Sequence, residues 1–440
     1  MDIIIKIIQF FLCFTILVGI HELGHFLMAR VFRIRVDKFY IFFDPWFSLF
    51  KFKRGDTEYG LGWLPLGGYV KIAGMNDESM DKEQMKQPVK PDEFRAKPAW
   101  QRLLVMVAGV MMNVLLAIVI YCAVCYTWGD SYFSNQDAKW GYNFNPTAHE
   151  MGFRDGDRFV SIDGEEIDNV MRVQNDLLIT DGGRRVVVER GGEPVTLDIP
   201  FESLLRMRQE KAYEDLFTLR LPFIVDSVSY TSAVEAGLQS GDEVVAIDDL
   251  RDADYPRYRD YLQKHKNDKV LLTVRRDGAL IDSLALPVDA EGRIGVTVTN
   301  PYSLRTQYYT FWESIPAGIH KAGKTISSYW DQLKLIVQPK TKMYEELGGF
   351  VAIGSIFPGS WDWHDFWLKT AFLSIILAVM NLLPIPGLDG GHALFTLWEI
   401  ITRRKPSEKF LEVAQYVGLM IILALLVYAN GNDIYRFFIK

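Results

Sequence analysis

The chain has 440 residues, 49% of them hydrophobic and 23% charged, with a formal net charge of −7. It is too apolar for a purely soluble protein and too charged for a wholly lipid-embedded one, so a few bilayer spans joined to soluble domains are expected. The acidic balance carries no nucleic-acid footprint. Three cysteines, Cys13, Cys122 and Cys125, all lie in apolar stretches. They read as packing residues rather than as a disulfide framework or a thiolate metal site.

Four segments are apolar over the roughly 20 residues that a bilayer demands: 3–28, 103–128, 367–388 and 413–429, the third broken near its end by Pro384 and Pro386. The first begins like a signal peptide, with Lys6 near the start, but no small-residue cleavage site follows, so it is read as a permanent span. Basic residues cluster after the first span (Arg30, Arg33, Arg35, Lys38, Lys51, Lys53, Arg54) and between the last two (Arg403, Arg404, Lys405, Lys409). Both loops are therefore expected on the cytoplasmic side, leaving the long stretch between the second and third spans outside.

The first span carries His21-Glu22-Leu23-Gly24-His25. Histidines four apart share one helix face, and two such imidazoles can share one Zn²⁺. Glu22 is then placed to reach a water at the metal rather than the metal itself, to take its proton and to pass it to a leaving amine. Three ionisable groups in one apolar span are costly unless paired or functional; a cluster at a helix end, near Arg30 and Arg33, is the alternative. A catalytic zinc wants a third protein ligand and an open position. The metzincin continuation fails, because Met28 and Val31 stand where Gly and His are needed. Glu58 is one candidate, in a charged, turn-like stretch. The better one is Asp389, in Asn381-Leu382-Leu383-Pro384-Ile385-Pro386-Gly387-Leu388-Asp389-Gly390-Gly391. A carboxylate at membrane depth wants a cation, and the prolines and glycines break the helix around it. A Pro-Gly loop at the membrane surface, capped by an Asp, is the plainer reading.

The outer stretch repeats itself. Ala148-His149-Glu150-Met151-Gly152-Phe153-Arg154-Asp155-Gly156-Asp157, with Ile162-Asp163 after it, returns as Ala233-Val234-Glu235-Ala236-Gly237-Leu238-Gln239-Ser240-Gly241-Asp242 with Ile247-Asp248. Two copies of one β-rich domain are expected. The pattern resembles bacterial PDZ domains, which bind an extended peptide along a sheet edge; spacer domains are the alternative. Beyond it, Trp312, Ile315, Ile319, Ala322, Ile326, Tyr329, Leu333 and Val337 recur at three- or four-residue steps. They predict an amphipathic helix, lying at the membrane interface or packed on a domain.

Taken together, the HELGH motif, the NLLPIPGLDG segment and the tandem repeats resemble the site-2 proteases, intramembrane zinc metalloproteases, in their bacterial RseP type. The resemblance covers essentially the whole chain. It implies His21, His25 and Asp389 as zinc ligands, Glu22 as general base, and Asn381 as a group that holds substrate or the developing oxyanion. Gly60 to Lys71, with Gly67 and Gly68, resembles the family's membrane-re-entrant β-loop, whose exposed edge would pair with an unwound substrate together with Pro384. Gly109 and Asn113 match a family G-P-x-x-N pattern, but Val110 stands where Pro is usual, and Phe350 replaces a usual Pro after Leu347-Gly348-Gly349. His392 is a candidate to sit behind the zinc ligands without being one; His149, His265, His320 and His364 read as surface or local packing residues.

The expected architecture is a membrane α-helical core of about four transmembrane helices, with a re-entrant β-loop and two inserted β-rich PDZ-like domains. The divisions are 1–128, 129–215, 216–305, an amphipathic linker 306–366, and 367–440. The expected function is zinc-dependent intramembrane proteolysis in a bacterial cytoplasmic membrane. Its partners would be the lipid bilayer, single-pass membrane substrates such as anti-sigma factors, and signal-peptide remnants, with no nucleic acid. A membrane-anchored PDZ scaffold or pseudoprotease, and a tethered zincin using Glu58, are the rival readings.

Overall fold

The computed structural model describes residues 2–64, 67–75, 88–251 and 254–439; Pro65 and Leu66 of the 60–71 loop lie outside the described residues. The chain forms two compact units, Met1–Asp130 with Gln307–Lys440, and Ser131–Thr306.

The first unit is mainly helical. Its long helices are α1 (Asp2–Val31), α2 (Ala99–Trp128), α3 (Phe311–Val337), α4 (Trp363–Leu382), α5 (Asp389–Thr402) and α6 (Glu408–Ile434), with a short helix at Phe350–Ser355. Among the described residues, four stretches, Asp2–Val31, Ala99–Trp128, Trp363–Leu382 and Lys409–Phe437, are long and apolar enough to cross a membrane. At about 1.5 Å per residue even the shortest spans about 30 Å. The third span ends earlier than the expected 388. Pro384 forces Leu383 out of the helical region, to φ −60° and ψ 143°, and Pro386 supplies no amide to resume the ladder. The chain re-forms helix only at Asp389, giving α5, which the hydropathy pattern did not reveal.

α2 is the hub. Ala117, Ile120, Tyr121 and Val124 on its C-terminal half pack against Ala322 of α3 and Ala371, Ile375 and Val379 of α4. Val105 and Met106 on its N-terminal half join Ala29, Ile34, Val36, Val70 and Ile72. On α1 the buried residues include Gln9, Cys13, Leu17, His21 and His25, a four-residue spacing that makes one stripe. α3 starts at a capping box formed by Thr310 and Glu313. One face of α3 packs on the spans, while Trp312, Ile319 and Trp330 stay exposed.

Between α1 and α2 lies a four-stranded sheet, β1 (Val36–Ile41), β2 (Phe43–Arg54), β3 (Thr57–Leu64) and β4 (Tyr69–Ile72), in the order β2-β3-β1-β4. β1 runs parallel to β3 and antiparallel to β4. The edge strand β2 presents Trp46 (91% exposed), Phe47, Leu49, Phe50 and Phe52 outward.

The second unit is built twice over. In its first half, Glu193–Ile199, Arg184–Arg190, Arg158–Ile162 and Glu165–Glu166 lie in that order, and Tyr142–Phe144 pairs with Phe217–Leu219. In its second half, Ala279–Pro287, Lys269–Arg276 and Glu243–Ile247 repeat the order, Leu250–Arg251 pairs with Glu243–Ile247, and Phe223–Val228 pairs with Val296–Thr299. Single bonds recur as well. Tyr142 N donates to Asp157 O and Gly156 N to Tyr142 O; Val225 N donates to Asp242 O and Gly241 N to Val225 O. Gly152 and Gly156, like Gly237 and Gly241, hold positive φ near 90° to 100°, which explains the fixed glycines of the repeat.

Each half also buries a carboxylate under one arginine. Arg190 binds Asp157 through two nitrogens and the Gly152 carbonyl; Arg276 does the same to Asp242 and Gly237. The carboxylates are 1% and 0% exposed. Removing one partner of such a pair strands a buried charge, at about 3–5 kcal/mol. Arg276→Met should therefore lower the unfolding temperature, with hydrogen-exchange protection lost over 223–299 and kept over 142–199. Equal loss in both halves would mean that they do not carry separate cores.

Candidate active site

α1 sets His21 and His25 one turn apart, and two other elements complete the site. α2 crosses α1 so closely that a side chain at Gly24 would come within 2.5 Å of the Ala108 carbonyl oxygen, and one at Gly109 within 2.5 Å of His25 Nε2 and 2.7 Å of His21 Cε1. Only a glycine at each position leaves room for the two rings between the helices. α5 then delivers Asp389 from its first residue. Gly390 and Gly391 make this possible, because their backbones lie against the carbonyls of Leu382, Leu383 and Ile385 with no space for a Cβ. Arg102 of α2 donates to Glu399 of α5 at 2.6 Å, both side chains being 13% exposed, and ties the Asp389 helix to the hub.

Three atoms converge. His21 Nε2 lies 3.2 Å from His25 Nε2, and Asp389 Oδ2 lies 3.1 and 3.2 Å from them. His25 Nδ1 sits 2.8 Å from the Val105 carbonyl, an acceptor only, so the ring proton is on Nδ1 and the Nε2 lone pair points inward. Asp389 Oδ2 receives no hydrogen bond. Lone pairs facing one another at this range demand a cation. A tetrahedral zinc with bonds of about 2.0–2.1 Å has its donors about 3.3 Å apart, and three protein ligands leave one position open. The donor set therefore fits zinc. Among the described residues it is the one His/Cys/Asp/Glu group so arranged.

Glu22 stands beside this triangle. The Gly68 backbone packs near its side chain, an added Cβ falling 3.4 Å from Glu22 Cγ. Gly68 thus lies next to the site, whereas Gly67 faces the ring of Phe43. Asn381 is half-buried in the last turn of α4, and Pro384 is exposed on the loop that follows. Glu58, the rival third ligand, is engaged elsewhere: it sits on β3 and accepts a 2.7 Å hydrogen bond from the Tyr40 hydroxyl. His392 lies one turn beyond Asp389 on α5 and is not among the converging atoms. The arginine–glutamate tie left no trace in the sequence, since its partners are 297 positions apart.

The chain matches the model of peptidase family M50 over residues 9–425. It is 28% identical over 427 residues to a Clostridium perfringens protein named as a zinc metalloprotease, covering 96% of each chain. It is 29% identical over 462 residues to a similarly named Vibrio cholerae protein, covering 99% of each, and 27% identical to the regulator of sigma E protease of Haemophilus influenzae, covering 97% of this chain and 98% of that one. With the family match running through nearly the whole sequence and four helices able to cross a bilayer, the chain belongs to peptidase family M50, the site-2 proteases, and is a multi-pass membrane zinc metalloendopeptidase.

Proposed function

We propose that this protein hydrolyses peptide bonds in or near the transmembrane segments of single-pass membrane proteins, with His21, His25 and Asp389 holding the zinc and Glu22 as proton acceptor. The observation that carries the reading is the convergence of His21 and His25, from within a span, with Asp389 from the break that follows another. Zinc bound there polarises a carbonyl and lowers the pKa of water to about 7. Glu22 takes the proton of the attacking water and hands it to the leaving amine. Asn381 donates to the substrate carbonyl as charge develops on it. Pro384, Gly67 and Gly68 flank an extended substrate. The β1–β4 sheet with its apolar edge forms the re-entrant loop, its polar backbone turned to protein or to a water-filled cavity.

The chain divides, on this reading, at 128, 215, 305 and 366. The repeats are PDZ-like and lie outside a bacterial cytoplasmic membrane, with both basic loops inside. There they exclude substrates that have not yet been trimmed. The name of the Haemophilus relative supports anti-sigma factors as substrates; signal-peptide remnants are short enough to pass the same filter. A scaffold without enzymatic activity accounts for the repeats but not for the family match.

The test is cleavage of a tagged single-pass substrate in liposomes. Protein stripped of metal by a chelator should be inactive and should recover with one equivalent of Zn²⁺. Cleavage that survives metal removal, or cleavage restricted to soluble polypeptides, rejects the proposal.

A further inference from the structure

The two histidines are not held alike. His25 is fixed by a backbone carbonyl, whereas His21 Nδ1 lies 3.2 Å from the side-chain amide of Asn113 on α2. Asn113 is 0% exposed. Its own position is set by α4, where Ser374 Oγ donates to the Asn113 carbonyl at 2.8 Å. As oriented, Asn113 Nδ2 faces the ring and Oδ1 has no partner among the described residues.

That orientation conflicts with the converging lone pairs. For His21 Nε2 to face a cation beside His25 and Asp389, the ring proton must sit on Nδ1. An Nδ1–H against an amide NH₂ is donor against donor. The oxygen and nitrogen of a carboxamide exchange places on half a turn about the terminal bond, and only the hydrogen-bond network tells them apart. With the amide turned, Oδ1 accepts from His21 Nδ1–H. Either orientation leaves one amide atom without a partner; only the turned one satisfies the imidazole.

We infer that Asn113 is a positioning residue that holds His21 in its ligating tautomer by accepting the Nδ1 proton through its side-chain oxygen. The inference rests on His21 being a zinc ligand, as proposed above. A ligating histidine characteristically donates its other N–H to an oxygen, and loss of that oxygen weakens metal binding by about 10- to 100-fold. His25 uses the carbonyl of Val105 for this purpose, on the same helix two turns earlier. The sequence offered Asn113 only as part of a pattern, because nothing in the spacing of α2 says which residue of α1 it meets.

The experiment uses the full-length protein in detergent. Zinc affinity is read by competition with a chromophoric chelator, and the ligand field by the visible spectrum of the Co²⁺-substituted form. Asn113→Leu keeps the shape and removes the acceptor, and should weaken zinc about 10- to 100-fold with a shifted cobalt spectrum. Asn113→Asp keeps an acceptor and removes the donor, and should hold zinc within a few-fold of the parent. Unchanged affinity and spectrum in Asn113→Leu overturn the inference. So does an Asp variant that loses as much zinc as the Leu variant, since the amide donor would then be the group that matters. Should the Leu variant not fold, the Asp variant decides alone: affinity within a few-fold of the parent supports the inference, and a loss of about 10- to 100-fold overturns it. His21→Leu is the control: if it binds zinc like the parent, the ligand assignment itself fails, an outcome distinct from failure of the Asn113 inference.

Discussion

Glu22→Gln is expected to cut the cleavage of a reconstituted transmembrane substrate by about 10²- to 10⁴-fold, the range that a positioned general base contributes, while one zinc per protein stays bound. The split follows from where Glu22 sits. It is not one of the three atoms that converge between α1 and α5, so replacing its carboxylate removes no ligand. Gln keeps the length of the side chain, which matters because the Gly68 backbone packs near Glu22 Cγ. What is lost is the ability to take a proton. Zinc content by elemental analysis and cleavage by gel shift, measured on one preparation, check both halves. Cleavage equal to that of the parent would assign the proton transfer to another group. Loss of zinc along with cleavage would place Glu22 among the ligands.

How much of this site could be read in the sequence depended on sequence distance. His21 and His25 lie four apart, so their shared face follows from the helix alone, and Glu22 comes with them on its flank. Asp389 was legible through the prolines and glycines that break an apolar run around it. The elements that aim these groups were not. α5 is amphipathic and shorter than a span, and it follows directly on a Pro-Gly loop, so hydropathy did not separate it from the loop. α2 starts at Ala99 rather than 103, because a helix can begin with polar residues such as Gln101 and Arg102 just after Pro98, whereas hydropathy counts only the apolar part. The meetings of Arg102 with Glu399 and of Asn113 with His21 depend on how helices far apart in sequence cross, which no local pattern encodes. The β1–β4 sheet was recognised only at its last strands. In β2 only Phe50-Lys51-Phe52-Lys53 alternates, a run too short to mark the whole strand, and Pro45 with the adjacent pair Trp46-Phe47 breaks the pattern before it.

Asp389→Ala and Glu58→Gln, compared side by side, should separate the two candidates for the third ligand. In Asp389→Ala the two imidazoles keep their lone pairs facing one another at 3.2 Å with no anion to balance a divalent ion. Zinc affinity should fall by more than the roughly 100-fold that loss of an outer partner alone brings, and proteolysis should fall with it. α5 should stay in place, because Arg102 and Glu399 still join it to α2, so the defect is in the metal and not in the fold; unchanged thermal unfolding in the presence of chelator is the check. In Glu58→Gln the hydrogen bond from Tyr40 persists to an amide oxygen, and nothing in the converging group changes. Zinc content and cleavage should match the parent. The opposite pattern, with zinc lost from the Glu58 variant and kept in the Asp389 variant, would require β3 to reach α1 in the working enzyme. It would also leave the carboxylate of Asp389 at the break between α4 and α5 with no cation to explain it.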